Sequence, residues 1–418
     1  MTAAQLATAA GRAAAPAKVP VPVPVPVPVR APIALHNPVH LLLVALALIA
    51  GATLPLLTYA PNRLLAGQGI LLADLSARPW LPLLPALALL TAPWLRPSRA
   101  RRIGVIVAAA AFGAALLALA GQEARLRGAD ADGLARVSFG GAFWLLILFA
   151  WLQLGEALRG LALPLPGRIA TLLATSLPLA ALLASDRLDQ LSLLKEYHNH
   201  RDSFDLALLR HLQLVLWSVL PAVPIGAALG ALTFRVRAAR ALVFPVLNVM
   251  QTLPSMALFG LLIGPLALLG RLWPESGIGG VGLAPALLAL TLYALLPMTR
   301  GTLAGLEQVP AGAREAARGI GMSAGQVFWR VELPLALPIF LGAIRVTAVQ
   351  AVGLAEVAAL IGAGGFGAIM FQGMASSALD LVLLGVLPVL LLAAGVDTAF
   401  KLAISFLTSR IGTGHDRD

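Results

Sequence analysis

Residues 315–334 read EAARGIGMSAGQVFWRVELP, a polar stretch set between apolar segments at about residues 282–298 and 338–361. Local rules resolve it into two short helices joined by a turn. Pro310, just upstream, suits a first helical turn, where no amide donor is needed. Gly319 and Gly321 are both able to take the left-handed conformation that ends a helix. Ser323 with Gln326 three residues on makes a capping box, and Leu333-Pro334 is expected to stop the second helix. Ala316 and Ala317 leave room for another protein's backbone or a bulky knob. Arg314, Arg318 and Arg330 assign the stretch to the cytoplasmic face of a membrane. This chemistry fits a docking hook and does not fit a catalytic site.

Composition sets the class. Of 418 residues, 59% are hydrophobic and 12% charged, and mean hydropathy is +0.89. No soluble domain needs so much apolar surface, so the fold class is an all-α polytopic membrane protein. The net charge of +11 does not point to nucleic acid, because the arginines cluster between apolar spans, the positive-inside pattern. With no cysteine, thiol catalysis and cysteine metal sites are excluded. The six histidines show no metal-ligand spacing, and His198 and His200 read as a solvated pair.

Residues 1–37 are Ala-rich, then Pro-Val alternating from Val19 to Val29. Alternating proline allows neither helix nor central strand, so a disordered, polyproline-type cytoplasmic tail is expected. No compact apolar core leads to a cleavage site, so it does not read as a signal peptide. Windows of about 17–25 apolar residues then give ten spans: roughly 39–59, 79–95, 103–121, 140–158, 168–185, 207–233, 241–269, 282–299, 338–361 and 379–400. Most of the 30 basic residues then fall on the cytoplasmic side, which puts both termini there. The polar interval at about 186–206 is expected outside, as a loop or a short surface helix. It divides a membrane extension of five spans, 38–206, from a five-span core, 207–400, which leaves a cytoplasmic tail at 401–418.

Within span seven, Gln251-Thr252-Leu253-Pro254-Ser255 interrupts the apolar run. Pro254 removes a helix hydrogen bond, and the freed carbonyls need partners that Gln251, Thr252 and Ser255 are able to supply. Such a break either borders a translocation path or gate, or is a proline kink packed by neighbours. Gly226 and Gly230 in span six form a small-xxx-small pair, read as close helix packing. Gly362, Gly364, Gly365 and Gly367 make a glycine-rich bend with no Lys-Ser/Thr after it, so it does not read as a phosphate cradle. Two charges lie in span nine. Arg345 is near the cytoplasmic end and is expected to snorkel. Glu356, about 16 Å further along the axis, either lines the pathway and attracts a cation, or lies at the outer surface. Burying either in lipid costs about 2.5–3.5 kcal/mol on insertion scales.

These motifs carry a resemblance. The spacing Glu315-Ala316-Ala317, Gly321, then Val331-x-Leu333-Pro334 resembles the EAA loop of permease subunits in bacterial ABC importers, with Val331 at the usual isoleucine position. The stretches HLQLVLWSVLPAVPIGAALG (211–230), NVMQTLPSMALFG (248–260), YALLPMTRGT (293–302), EAARGIGM (315–322) and AALIGAGGFGAIMFQG (358–373) resemble osmoprotectant permeases, for glycine betaine, choline or carnitine. Arg300-Gly301-Thr302 stands where that family often has Arg-Asn-Thr, and the first half matches its longer branch. The resemblance implies a cytoplasmic coupling helix in which Glu315, Ala316, Ala317, Gly321, Leu333 and Pro334 dock an ATPase. It also favours Gln251, Thr252, Pro254 and Ser255 as path or gate; Glu356 stands where the family is expected to have a small or hydroxyl residue, and its place on the path rests on the attraction of a carboxylate for a quaternary ammonium.

Among the three lysines, Lys18, Lys195 and Lys401, none ends a GxxxxGK[ST] sequence, so the chain has no P-loop. It is therefore not expected to be an enzyme. ATP and Mg would be bound by a partner ATP-binding subunit. A periplasmic or lipid-anchored solute-binding protein and a second permease, copy or paralogue, complete the implied assembly. Two rival readings are a methionine or other amino-acid ABC permease, and an ion-coupled secondary transporter. The latter would want inverted repeats and several intramembrane carboxylates.

Overall fold

The computed structural model describes residues 38–412, apart from 63–64, 66, 77–79 and 129–133. The expected tail at 1–37 and the last residues of the 401–418 tail lie outside the described residues. In the first half, runs rich in Leu and Ala form α1 (Pro38–Thr53), α2 (Leu83–Thr91), α3 (Arg99–Gly128), α4 (Gly141–Leu161) and α5 (Leu165–Leu183). The polar links fold too. β1 (Leu57–Ala60), β2 (Gln68–Ile70) and β3 (Arg136–Phe139) form an antiparallel sheet in the order β2-β1-β3. Leu57, Leu116, Val137 and Phe143 are buried together with Leu188 and Leu191, so strands and helices share one core.

α6 (Ser192–Asn199) leads into the second half, α7 (Arg201–Arg235), α8 (Arg237–Thr252), α9 (Ser255–Leu272), α10 (Leu283–Glu307), α11 (Ala311–Gly319), α12 (Ala324–Val327), α13 (Leu333–Val357), α14 (Phe366–Ala375) and α15 (Leu379–Gly412). The interval 186–206 is thus a short helix followed by the start of α7, whose first turn precedes the expected span. Lys195 of α6 donates from Nζ to the Ala135 carbonyl at 3.2 Å. Burial, and then the neighbouring Arg136 charge, push the Lys195 pKa below the ordinary lysine value. Leu193 and Tyr197 of α6 pack on a second buried cluster, built on Phe366, Leu381 and Val352.

The sequence predicts ten spans. Among the described residues, eight helices are long and apolar enough to cross a membrane: α3, α4, α5, α7, α9, α10, the run Ala324–Ile361 and α15. The first two expected spans correspond to α1 and α2, of 16 and 9 residues. At 1.5 Å per residue both fall short of an apolar layer about 30 Å thick. Their buried residues Val44, Ala47 and Leu89 instead join the first-half core. Span seven is split into α8 and α9, and the tenth is α15.

α10 is the most enclosed helix of the second half, with α7 laid along it. Gly226 and Gly230 make that contact possible. A Cβ built on Gly226 would collide with Met298, and one on Gly230 would stand 2.8 Å from the Thr299 carbonyl oxygen. The small-xxx-small pair is a packing device, as its spacing predicts. Replacing Gly230 with leucine should overpack this seam and destabilise the chain by about 1–3 kcal/mol. The check is the melting temperature in detergent against Gly260→Leu, whose position has open space around it and should melt like the parent. Equal melting for both variants would mean that α7 and α10 do not pack this closely.

Candidate coupling hook and helix break

The hook is built from local bonds. α11 ends in a glycine-dependent cap: Met322 N–H donates to the Ala317 carbonyl at 3.1 Å and Gly321 N–H to Arg318 at 2.9 Å. That pairing requires a left-handed residue, and Gly321 has φ +83°. Of the two candidate glycines, Gly321 takes the role. The capping box follows, with Ser323 N–H donating to Gln326 Oε1 at 2.8 Å and Gln326 N–H to Ser323 Oγ at 3.4 Å.

Leu333-Pro334 does not stop the second helix. A π turn at Phe328–Glu332 carries α12 into α13, and Ala324–Ile361 runs on as one 38-residue helix. Pro334 sits in the first turn of α13. The wider turn uses bonds to the fifth residue back, Leu333 N–H to the Phe328 carbonyl among them, so a missing proline donor is absorbed there.

Arg314 fastens the hook to this turn. Its Nε donates to Glu332 Oε1 at 2.9 Å, its Nη2 reaches the Leu306 carbonyl at the end of α10, and its guanidinium lies 5.0 Å from the Phe234 ring centre. Glu332 is buried. The sequence pattern had no means of pairing these two. Glu315, Ala316 and Pro334 are exposed and Leu333 is half-buried, but Ala317 is buried against the chain itself. Its methyl is therefore not available to a knob from another protein. Ile320 and Trp329 are the large apolar groups presented, 76% and 67% exposed. Apolar side chains inside a basic, Gly-rich loop were the available signal for them.

The break lies where Pro254 predicts it. α8 ends at Thr252, Leu253 and Pro254 are extended with ψ near 132° and 137°, and α9 starts at Ser255. Gln251 Nε2 donates to the Tyr293 carbonyl at 2.7 Å, and Tyr293 Oη donates to the Leu253 carbonyl at 2.6 Å. Tyr293 is four residues before Pro297, which lies inside α10 and has no N–H to give. Gln251 thus fills the carbonyl that Pro297 leaves open, while Tyr293 fills the one at the break. Thr252 Oγ1 bonds only locally, to Val249, and Pro254 is exposed.

The span-nine charges sit on α13. Arg345 is partly exposed, with its Nε 3.6 Å from Asp397 Oδ1 on α15, and Lys401 Nζ holds the other carboxylate oxygen at 2.5 Å. Glu356 is half-buried, with Oε1 enclosed and without a hydrogen-bond partner. No hydrogen bond links it to Gln251 or Ser255, while its neighbours Ala355 and Val357 share an apolar cluster with Leu253, Leu258 and Tyr293. The glycine bend holds three left-handed residues, Gly362, Gly364 and Gly365, and turns the chain into α14, a helix that the sequence reading did not foresee.

Comparison with known proteins gives two family matches. The N-terminal domain of the ABC transporter permease YehY matches residues 36–194, and the binding-protein-dependent transport system inner membrane component matches residues 222–411. The osmoprotectant import permease protein OsmW of Salmonella typhimurium is 40% identical over 45% of this chain and 84% of its own length. The choline transport system permease protein OpuBB of Bacillus subtilis is 32% identical over 47% and 85%. The carnitine transport permease protein OpuCB of Listeria monocytogenes is 35% identical over 46% and 81%. A chain of the MetNI methionine ABC transporter, inward facing, aligns with TM-score 0.44 at 22% identity, over 50% of this chain and 98% of that one.

If the two bonds at the break hold α8 and α9 to α10, Tyr293→Phe and Gln251→Leu should each destabilise the chain. Interhelical hydrogen bonds in membrane proteins contribute about 0.6 kcal/mol on average and up to about 1.7. Thermal unfolding in detergent reads the effect. No loss in either variant would mean that neither bond is formed.

Proposed function

We propose that this chain, which belongs to the family of binding-protein-dependent transport system inner membrane components, imports a compatible solute such as glycine betaine or a related quaternary amine. It is the membrane-spanning permease subunit of an ABC importer, a multi-pass inner-membrane protein with its helical core in the second half. The cargo assignment is supported by the relatives, which are osmoprotectant, choline and carnitine permeases. In our reading, residues 38–206 form the membrane extension and 207–400 the permease core. Both termini and the hook face the cytoplasm, and the 401–418 tail ends there.

The observation that carries the mechanism is the 38-residue helix from Ala324 to Ile361. At 1.5 Å per residue it is about 57 Å long, and its first turns are the hook. A partner ATPase, which would bind ATP and Mg, pushes on Glu315, Ala316, Gly321, Leu333 and Pro334 when it closes. Ile320 and Trp329 add the apolar contact, and Ala317 shapes the cap from inside. Arg314 and Glu332 pass the movement to α13, and α10 passes it to the break at Gln251–Ser255. The solute path then alternates between the two faces of the membrane. No bond is made or broken in this chain. A solute-binding protein delivers cargo at the opposite end, and a second permease, copy or paralogue, completes the path.

Co-purification with the ATPase tests the hook. Ile320→Asp places a charge on an exposed position with no packing role, so it should abolish ATPase retention without lowering the melting temperature. Gly321→Asp, at φ +83°, should lose the ATPase and also strain the turn by about 1–2 kcal/mol. Retention of the ATPase by both variants would place the docking surface elsewhere. For the path, Glu356→Gln should weaken uptake of glycine betaine by proteoliposomes at unchanged assembly. Undiminished uptake would remove Glu356 from the route.

A further inference from the structure

At the end of the bundle opposite the hook, the two halves of the chain enclose a cleft of about 520 Å³. Arg136 and Ser138 enter it from β3, Glu196 and His200 from α6 and its end, and Asp380 from the first turn of α15. The cleft exists only where the extension meets the core.

Its polar groups are incompletely satisfied in a particular way. Asp380 Oδ2 accepts from Ser138 Oγ at 2.6 Å, while Oδ1 is enclosed and has no partner. Arg136 Nη2 is 3.8 Å from Glu196 Oε1, a long ion pair, while its Nε is enclosed and also without a partner. Glu196 is buried and has His200 Nδ1 3.5 Å from its other oxygen. One desolvated acceptor and one desolvated donor, both charged, therefore line a single cleft, and buried polar atoms of this kind call for partners. A cation alone would serve Asp380 and leave Arg136 open. An anion alone would do the reverse.

We propose that this cleft is a binding site for a small zwitterion, which sets its carboxylate against Arg136 and an N–H-bearing ammonium against Asp380. Among the described residues no Phe, Tyr or Trp lines the cleft, so it lacks the ring faces that hold a quaternary ammonium. Asp380 Oδ1 instead accepts a hydrogen bond, which needs an N–H. Because the lining comes from both halves, the bound solute bridges the extension to α15. Its lining shares no residue with the break at Gln251–Ser255 or with Glu356, and it stands whether or not the cargo reading does.

A methylation series tests this on the purified full chain in detergent, with no binding protein present: glycine, sarcosine, dimethylglycine and glycine betaine, with choline and acetate as single-charge probes. Saturation-transfer NMR or a thermal-shift titration reads the affinity. The first three should bind, glycine betaine at least about tenfold more weakly, and the single-charge probes weakest of all. Asp380→Asn and Arg136→Gln should each weaken dimethylglycine by about tenfold or more, while Glu275→Gln, on an exposed turn, should not. Equal binding of dimethylglycine and glycine betaine overturns the proposal, and so does no binding of any zwitterion. Unaltered binding by both folded variants overturns it too. The series on the parent chain decides the matter even where a variant does not fold. Failure here with intact glycine betaine uptake rejects the cleft alone, and loss of uptake with intact dimethylglycine binding rejects the cargo reading alone.

Discussion

The second half of the structure depends on two carbonyl oxygens left without a helical donor, one by a proline and one by a helix break. In hydrocarbon, an unpaired backbone group has no water to turn to, so a helix break persists only where another element supplies the bond. Pro297 frees the Tyr293 carbonyl in α10, and the residues around Pro254 free the Leu253 carbonyl between α8 and α9. Gln251 and Tyr293 answer one another across these gaps, at 2.7 and 2.6 Å. Two defects that would each be unfavourable alone become a joint. α10 must lie beside the break for either to be satisfied. The same helix receives α7 through Gly226 and Gly230, which places it at the centre of the core. A shift of the break relative to α10 has to exchange these bonds, so the joint has discrete positions and does not deform smoothly.

The hook shows the same economy on the other side of α10. Its turn is held by backbone bonds that only Gly321 allows, and its orientation by Arg314, which touches α10, α7 and the π turn together. The neighbouring Arg235 guanidinium lies 5.3 Å from the Phe328 ring centre, at the π turn. Force applied to α11 thus reaches α13 through a charge-assisted hydrogen bond partly shielded from water, which is shorter and stronger than a neutral one. The π turn resolves an apparent contradiction. Pro334 would end an ordinary helix, yet the helix from Ala324 to Ile361 is continuous through it. A local widening takes up the missing donor and keeps the helix running.

What could be read from the sequence was what local rules govern. The capping box, the cap at Gly321, the break at Pro254 and the close-packing glycines each follow from residues within about four positions of one another. The motif order identified the permease family. What escaped reading was long-range or too short to leave a period. β1 and β2 span four and three residues, below the length at which alternation is visible. Arg345 had no partner within its own span, and its pairing with Asp397 depends on how α13 and α15 cross. Arg314 and Glu332 are separated by a turn whose geometry decides whether they meet. α1 and α2 had the composition of spans but not the length, because helix ends within an apolar run are fixed by packing. Ala317 carried the right letter for the motif, yet the helix rotation that buries it is set by Arg314 on the neighbouring turn.

The two ends of the molecule are linked through α13 and α15. α13 begins in the hook and finishes at the glycine bend, where Gly365 passes close to His211 of α7. His211 in turn lies with its Nε2 3.1 Å from the Val352 carbonyl. From the bend, α14 leads to α15, whose first turn bonds to β3 through Asp380 and Ser138, and whose later turns hold Arg345 through Asp397. α15 therefore touches the extension at one end and α13 toward the other. Because α6 packs on Phe366 and Leu381 as well, the extension is attached to the part of the core that a moving α13 must carry with it. An extension bound only to lipid would be free of the transport cycle. This one is tied by a charged hydrogen bond and a shared apolar cluster, so displacement of α15 has to be transmitted to the small sheet or break the Ser138–Asp380 contact.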